Sequence, residues 1–265
     1  MQEFTYDNKM KEIPEVLEEL SPEQYFRYLE LVLIMNTGKI SPFEMKCRLI
    51  SMLLGMRYTF TMCKDSIISE INAQLHKLDG FFDITEGTDK VIYDPRIKSG
   101  KNLLPSYKNW KGPNDMLNDI TYGQFVQCLN LAKAMETARG ENDNKLVDIL
   151  MSEFGEILYR NEDSITAGSL PLLVCFHSCI LFCAVWDLIC TVPIPINGEE
   201  INFSILFQEP EDKKANDKTG WVGIAFEVAS SGVFGNVKQI NETPFWDVLL
   251  YLYKCRFESI HNKKQ

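Results

Sequence analysis

From Ser164 to Trp186 the chain carries no formal charge, and between Arg160 and Lys213 it carries no Lys or Arg. A run of that length has two destinations: a bilayer, which about 20 helical residues span, or the middle of a helical core. Gly168, Pro171, His177 and Ser178 interrupt the run, and its near flanks are acidic at Glu162, Asp163 and Asp187. No basic residue stands on the C-terminal side to satisfy the positive-inside rule. The expectation is therefore a buried core helix near 169–190, in a protein with no membrane span. At 265 residues, 45% of them apolar, the chain can surround such a helix as one large domain or two intimate ones.

Helix start signals recur around it. Ser21-Pro22-Glu23-Gln24 places an N-cap serine, a first-turn proline and a capping-box glutamine ahead of Tyr25, Tyr28, Leu29, Val32 and Leu33. Gly38 closes that helix, and Ser41-Pro42-Phe43-Glu44 opens a second that runs to about Gly55. A third is expected from Asp65 to Lys77, with Ile67, Ile68, Ile71 and Leu75 as its stripe. Helices resume at Thr121, and two more close the chain, one over about Trp221 to Ser230 and one from Thr243-Pro244 onward. The final ESIHNKKQ is expected to fray. At an offset of one hundred, Leu20 to Tyr25 matches Ile120 to Phe125 in residue type, and Gly55 falls opposite Gly155. A duplicated helical hairpin would explain the echo, and so would two similarly capped amphipathic helices arising by chance.

The strand signals are local. Phe4 and Tyr6 alternate before the turn-prone Asp7-Asn8, which suggests an N-terminal hairpin, and Val91–Tyr93 reads as a short strand. Val192, Ile194 and Ile196 alternate, Asn197-Gly198 supplies a type I′ turn, and Ile201, Phe203, Ile205 and Phe207 alternate again. This register sets Ile194 against Ile201 and Val192 against Phe203, with Pro193 and Pro195 confining the first strand to an edge. The fold class is thus mainly α: helical hairpins, with duplication left open, plus one or two small antiparallel β-hairpins. By segment, 1–80 is an N-terminal hairpin plus helices, 81–120 an irregular connector broken by Pro95, Pro105 and Pro113, and 121–265 a helical region with a β-hairpin near 191–207. One compact domain overall is the alternative. Gln208 to Thr219 reads as an exposed loop.

A net charge of -10 argues against a nucleic-acid partner, because phosphate binding needs a positive surface. Of the eight cysteines, Cys128, Cys175, Cys179, Cys183 and Cys190 lie in apolar runs, where a free thiol acts as a small hydrophobe. The N-terminus lacks an apolar stretch, so no signal peptide is expected and the reducing cytoplasm is the inferred location.

The chain offers no phosphate loop, nucleophile elbow, zinc-protease motif or dinucleotide fingerprint, and His76, His177 and His261 are scattered. Spacing of four puts Cys175, Cys179 and Cys183 on one helix face, where thiolates could hold a metal, but the pattern fits neither a zinc knuckle nor an iron–sulfur motif. Core packing explains it more simply. Asp187 reads as an end-of-helix carboxylate reaching water. No catalytic residue, metal or cofactor is therefore assigned. The best interaction candidate is the last helix, where Phe245, Trp246, Leu249, Leu250 and Tyr253 form an apolar stripe over more than half the circumference, although such a stripe is more often core than partner surface.

Three groups of residues carry a resemblance. The first is Ile13-Pro14, Leu20 to Tyr25 and Leu53 to Met56. The second is Asn102 to Pro105, Trp110-Lys111-Gly112-Pro113, Thr121 to Phe125 and Ile157 to Arg160. The third is Gly220-Trp221, Ser231 to Gly235 and Pro244 to Leu249. Together they resemble proteins of tail gene clusters in phages and prophages of Bacteroides-type gut bacteria, similar to tail assembly chaperones. The resemblance implies a non-enzymatic helical binder in the host cytoplasm whose partner is the tape-measure protein or another tail protein, with a homo-oligomer as a further possibility. A virion component, such as a tail-completion or connector protein, is the alternative, and an enzyme of unknown class is the less favoured third reading.

Overall fold

A computed structural model describes residues 1–6, 9–58, 71–86, 91–95, 97–162, 169–207 and 220–262. The architecture is mainly α with small antiparallel sheets, as the sequence leads one to expect. Two compact units divide the chain, Met1–Lys98 and Ser99–Gln265, and the boundary falls inside the stretch read above as a connector.

In the first unit, β1 (Gln2–Tyr6) pairs with β2 (Lys9–Ile13), Gln2 opposite Ile13 and Tyr6 opposite Lys9. The expected turn at Asp7-Asn8 lies outside the described residues. Helix α1 (Pro22–Asn36) starts on the capping box read from the sequence: the Ser21 side chain accepts from the Gln24 amide, and the Gln24 side chain accepts from the Ser21 amide. It buries Tyr25, Tyr28, Leu29, Val32 and Met35, and the Tyr28 hydroxyl donates to the Phe81 carbonyl at 2.7 Å. Helix α2 (Pro42–Leu53) is capped by Ser41, and Gly38 (φ 75°) and Gly55 (φ 68°) provide the left-handed residues that end the two helices.

The expected third helix is only partly observable, since Asp65 to Glu70, with Ile67 and Ile68, lie outside the described residues. Ile71 and Leu75 are buried, but Leu75–Phe81 is a 3-10 segment rather than the α-helix expected to reach Lys77. Side-chain bonds to β1 explain the tighter winding. The Gln74 amide group both donates to and accepts from the Thr5 backbone, and the Lys77 ammonium donates to the Glu3 carbonyl. The segment is thereby laid against β1. Strand β3 (Phe82–Glu86) then pairs with β4 (Val91–Pro95), which contains the expected short strand.

The second unit is built around the uncharged run. Helices α3 (Tyr122–Gly140) and α4 (Asn144–Leu158) lead to α5 (Leu172–Thr191), whose most apolar window has mean hydropathy 2.2 and is 56% buried within its own chain. By length and composition α5 could cross a membrane, but its buried set includes the polar His177 and Ser178 beside Val174, Leu181, Phe182 and Val185. All of these side chains are buried within the second unit. Helix α4 approaches it at Gly155, where a Cβ would lie 2.5 Å from the Cys175 sulfur and 3.0 Å from its Cα, so only glycine permits this spacing.

The remaining elements wrap this pair. They are β5 (Ser106–Tyr107), β6 (Trp110–Lys111) and β7 (Arg160–Asn161) in one small sheet, then the hairpin β8 (Ile194–Ile196) with β9 (Glu199–Ile201). Helices α6 (Gly220–Ser231), α7 (Val237–Glu242) and α8 (Phe245–Asn262) complete the unit. Phe125 of α3 lies at the centre of an aromatic cluster. Its ring is 5.6 Å from both Phe182 and Trp186, 5.5 Å from Trp221 and 4.0 Å from Phe245. The start of α8 is pinned to the start of α3, because the Tyr122 amide donates to the Thr243 carbonyl and the Phe245 amide to the Ile120 carbonyl.

One further sequence expectation is corrected here. The hairpin has the expected Asn197-Gly198 turn (φ 52° and 87°) and the Ile194–Ile201 pair, but Val192 does not face Phe203 in a ladder. The Asn202 side chain accepts from the Ser204 amide and starts a 3-10 turn over Phe203–Leu206, while the Val192 amide still bonds back into α5. Helix α8 extends through Glu258 to Asn262, with Phe257 stacked on Tyr253 and on His261, and Lys263 to Gln265 of the segment expected to fray lie outside the described residues. As for the internal echo, Thr121 and Gln124 form the same reciprocal cap as Ser21 and Gln24. Gly55 and Gly155 differ in role, one ending a helix and the other sitting inside one.

Candidate functional site

The structure divides the apolar stripe of α8. Phe245 and Leu249 are each 1% exposed and belong to the core, whereas Trp246, Leu250 and Tyr253 are half-buried. The five residues therefore do not form one continuous docking face. Phe245 turns inward because Phe125 stacks on it, and Tyr253 and Trp246 flank the buried Phe203 ring. What remains open is a groove of about 380 Å³ in which Trp246 and Leu250 face Ile194 and Ile196 of β8, with Met116 and Asp247 at its margin.

Met116 (φ 56°) and Leu117 (φ 55°) are consecutive left-handed residues with full side chains, a conformation that costs about 1–2 kcal/mol at each. It is held from both sides. The Met116 amide donates to the Gly100 carbonyl at 2.6 Å, and its carbonyl accepts from the Trp246 indole at 2.9 Å. Gly100 has no room for a Cβ, which would lie 2.0 Å from the Met116 sulfur. Strain kept at a groove margin by its surroundings is a recurring feature of binding sites. Nothing local in the sequence predicts it, because neither Met nor Leu favours positive φ.

A second polar arrangement lies inside the unit. His177, fully buried on α5, meets Asn102 across 75 positions of sequence, with His177 Nε2 2.8 Å from Asn102 Oδ1. Asn102 Nδ2 donates to the Pro113 carbonyl at 2.6 Å, and Asn102 Oδ1 also accepts from the Leu104 amide at 2.9 Å. Since Oδ1 is an acceptor, the imidazole donates from Nε2 and is in that neutral tautomer. The Tyr159 hydroxyl donates to the Leu104 carbonyl, and a Cβ on Gly112 would lie 2.8 Å from the Tyr159 ring. These contacts fasten the loop 99–118 to α5 and to the end of α4. They form a structural tether.

Burial lowers the His177 pKa to about 3. An unfolded histidine titrates near 6.5, so between about pH 6.5 and about pH 3 the unfolded chain binds one more proton than the folded one. Stability is full above that window and falls as pH drops through it, by about 1.4 kcal/mol per pH unit for this one proton. Urea melts at about pH 7 and about pH 5 are expected to show that loss in the wild type and a shallower one in His177→Gln.

The cysteine face is split: Cys175 and Cys179 are buried and Cys183 is exposed. Burial pushes the Cys175 thiol up to about 11 and raises those of Cys179 and Cys128 further. Such thiols stay protonated and are poor ligands and nucleophiles. No group of three or more His, Cys, Asp or Glu among the described residues is placed to hold a metal ion. His177 points to Asn102 rather than to the thiols, and Asp187 is exposed near the end of α5. No disulfide joins two of the described cysteines.

No protein-family model matches the chain, and no curated protein and no solved structure matches it either.

Proposed function

We propose that this chain is a non-enzymatic binder of phage tail assembly, a chaperone or scaffold that keeps the tape-measure protein soluble in the host cytoplasm. The observation that carries this reading is the groove between Trp246, Leu250 and β8, which offers apolar side chains at the rim of a well-packed unit. A half-buried tryptophan beside open apolar surface is the common anchor of a protein interface. The net charge of -10 adds steering toward a basic client. The residues that carry the tail-cluster resemblance support it in a second way. Asn102, Gly112, Trp221 and Phe245 build the tether and the aromatic core, so a protein sharing them shares a framework without needing a shared catalytic group.

Co-expression with the tape-measure protein of the same gene cluster tests the reading. A soluble complex is expected, and Trp246→Glu with Leu250→Glu is expected to lower its yield at least about tenfold, with Leu250→Glu alone, which removes no hydrogen bond to Met116, as the variant that keeps the melting profile close to wild type. A complex indifferent to both changes would overturn the assignment of this groove.

One observation favours the connector reading as the second choice. Val222 and Phe226, one turn apart on α6, are 48% and 59% exposed, and Val233 is 59% exposed. An apolar patch of that kind suits contact between copies. A monodisperse ring in light scattering, with no client bound, would favour that version.

A further inference from the structure

Helix α4 has two apolar faces, and the fold uses one of them. Val147, Met151, Phe154 and Leu158 are buried in the unit. On the other side Leu146 and Ile149 are 38% and 52% exposed, and Leu150 and Ile157 are half-buried. Residues 146, 149, 150, 153 and 157 follow three- and four-residue spacing, so they share one stripe. At its C-terminal end the stripe opens into a groove of about 510 Å³ between α3 and α4, floored by Leu131 and Ile157 and rimmed by Gln127, Asn130, Glu153 and Glu156. None of these residues lines the Trp246 groove.

The rim is the informative part. Glu153 and Glu156 are exposed, and neither has an ion-pair partner among the described residues. Gln127 and Asn130 on the opposite wall add hydrogen-bonding groups and no positive charge. An apolar floor with carboxylates along one wall and no cation on the other rejects an acidic occupant and favours one whose apolar side chains are flanked by Lys or Arg. Two parallel helix walls suit a third helix lying along them, with anchors at three- and four-residue spacing. We infer that the α3–α4 groove, continued by Leu146 and Ile149, docks a basic amphipathic helix of a partner protein. The inference holds for any partner of that chemistry and does not rest on the tail reading.

Fluorescence anisotropy on the full chain tests it. The probe is a labelled peptide of about 18 residues, roughly five turns, made of Leu and Lys with the leucines on one face. Its comparators are the same peptide with Glu for Lys and a scrambled Leu/Lys peptide without an apolar face. The ordered Lys peptide is expected to bind. Glu153→Gln with Glu156→Gln is expected to weaken it about tenfold, and Ile149→Ser to weaken it without changing its salt dependence. All three positions are exposed, and an unchanged melting profile checks that the variants fold. Absence of binding, equal binding of the scrambled peptide, indifference to the glutamate changes, or a self-associated chain whose own copies cover the groove would each overturn the inference.

Discussion

Asn102→Leu is expected to lower the stability of the second unit by roughly 3–9 kcal/mol, since three buried partners lose their bonds at about 1–3 kcal/mol each. Leucine is close to asparagine in size, so the site stays filled. What disappears is the acceptor for His177 Nε2 and the Leu104 amide, and the donor for the Pro113 carbonyl. Water cannot replace them at positions where Asn102 is 5% exposed and His177 is not exposed. The expected signature is a double-mutant cycle. His177→Phe added to Asn102→Leu removes one orphaned donor and is expected to cost less than the two single changes combined. All four tryptophans, Trp110, Trp186, Trp221 and Trp246, lie in Ser99–Gln265, so tryptophan fluorescence in a urea titration reports on this unit. Equal midpoints for wild type and Asn102→Leu would show that the tether does not hold the loop.

Phe125→Ala is expected to cost about 3–5 kcal/mol, in the range for emptying a buried aromatic site. The ring meets Phe182, Trp186, Trp221 and Phe245, contributed by three different helices, and none of those can move into the space without leaving another contact. Phe125→Leu retains most of the volume and is expected to cost less than about 2 kcal/mol. The pair of variants separates lost volume from lost ring stacking, and both are read in the same urea titration. A Phe125→Ala protein as stable as the leucine variant would mean that the cluster repacks.

What could be read from the chain was what neighbouring residues decide among themselves. Ser21 with Gln24 and Thr121 with Gln124 are three positions apart and fix helix starts without tertiary help. Asn197-Gly198 likewise sets its own turn. The uncharged run announces a long apolar helix by its own composition. Helix α7 carries the same kind of signal in the capping box of Asn236 and Gln239. The losses are of a different kind. The partnership of Asn102 and His177 spans 75 positions, and no local pattern encodes it. Periodicity gave the width of the α8 stripe but not how much of it the rest of the chain would cover, which separates Phe245 and Leu249 from Trp246 and Leu250. The exposure of Leu146 and Ile149 on α4 is of the same kind, since it depends on what the rest of the chain leaves uncovered.

The central claim is that this chain keeps a tail protein soluble by binding it, and sedimentation tests that claim most directly. The tape-measure protein of the same cluster is expressed alone and together with this chain, and the supernatant and pellet are compared. The account predicts a pelleted tape-measure protein when it is alone and a soluble complex when the two are together, with that solubility lost in Trp246→Glu with Leu250→Glu. A tape-measure protein that pellets equally with or without this chain would contradict it.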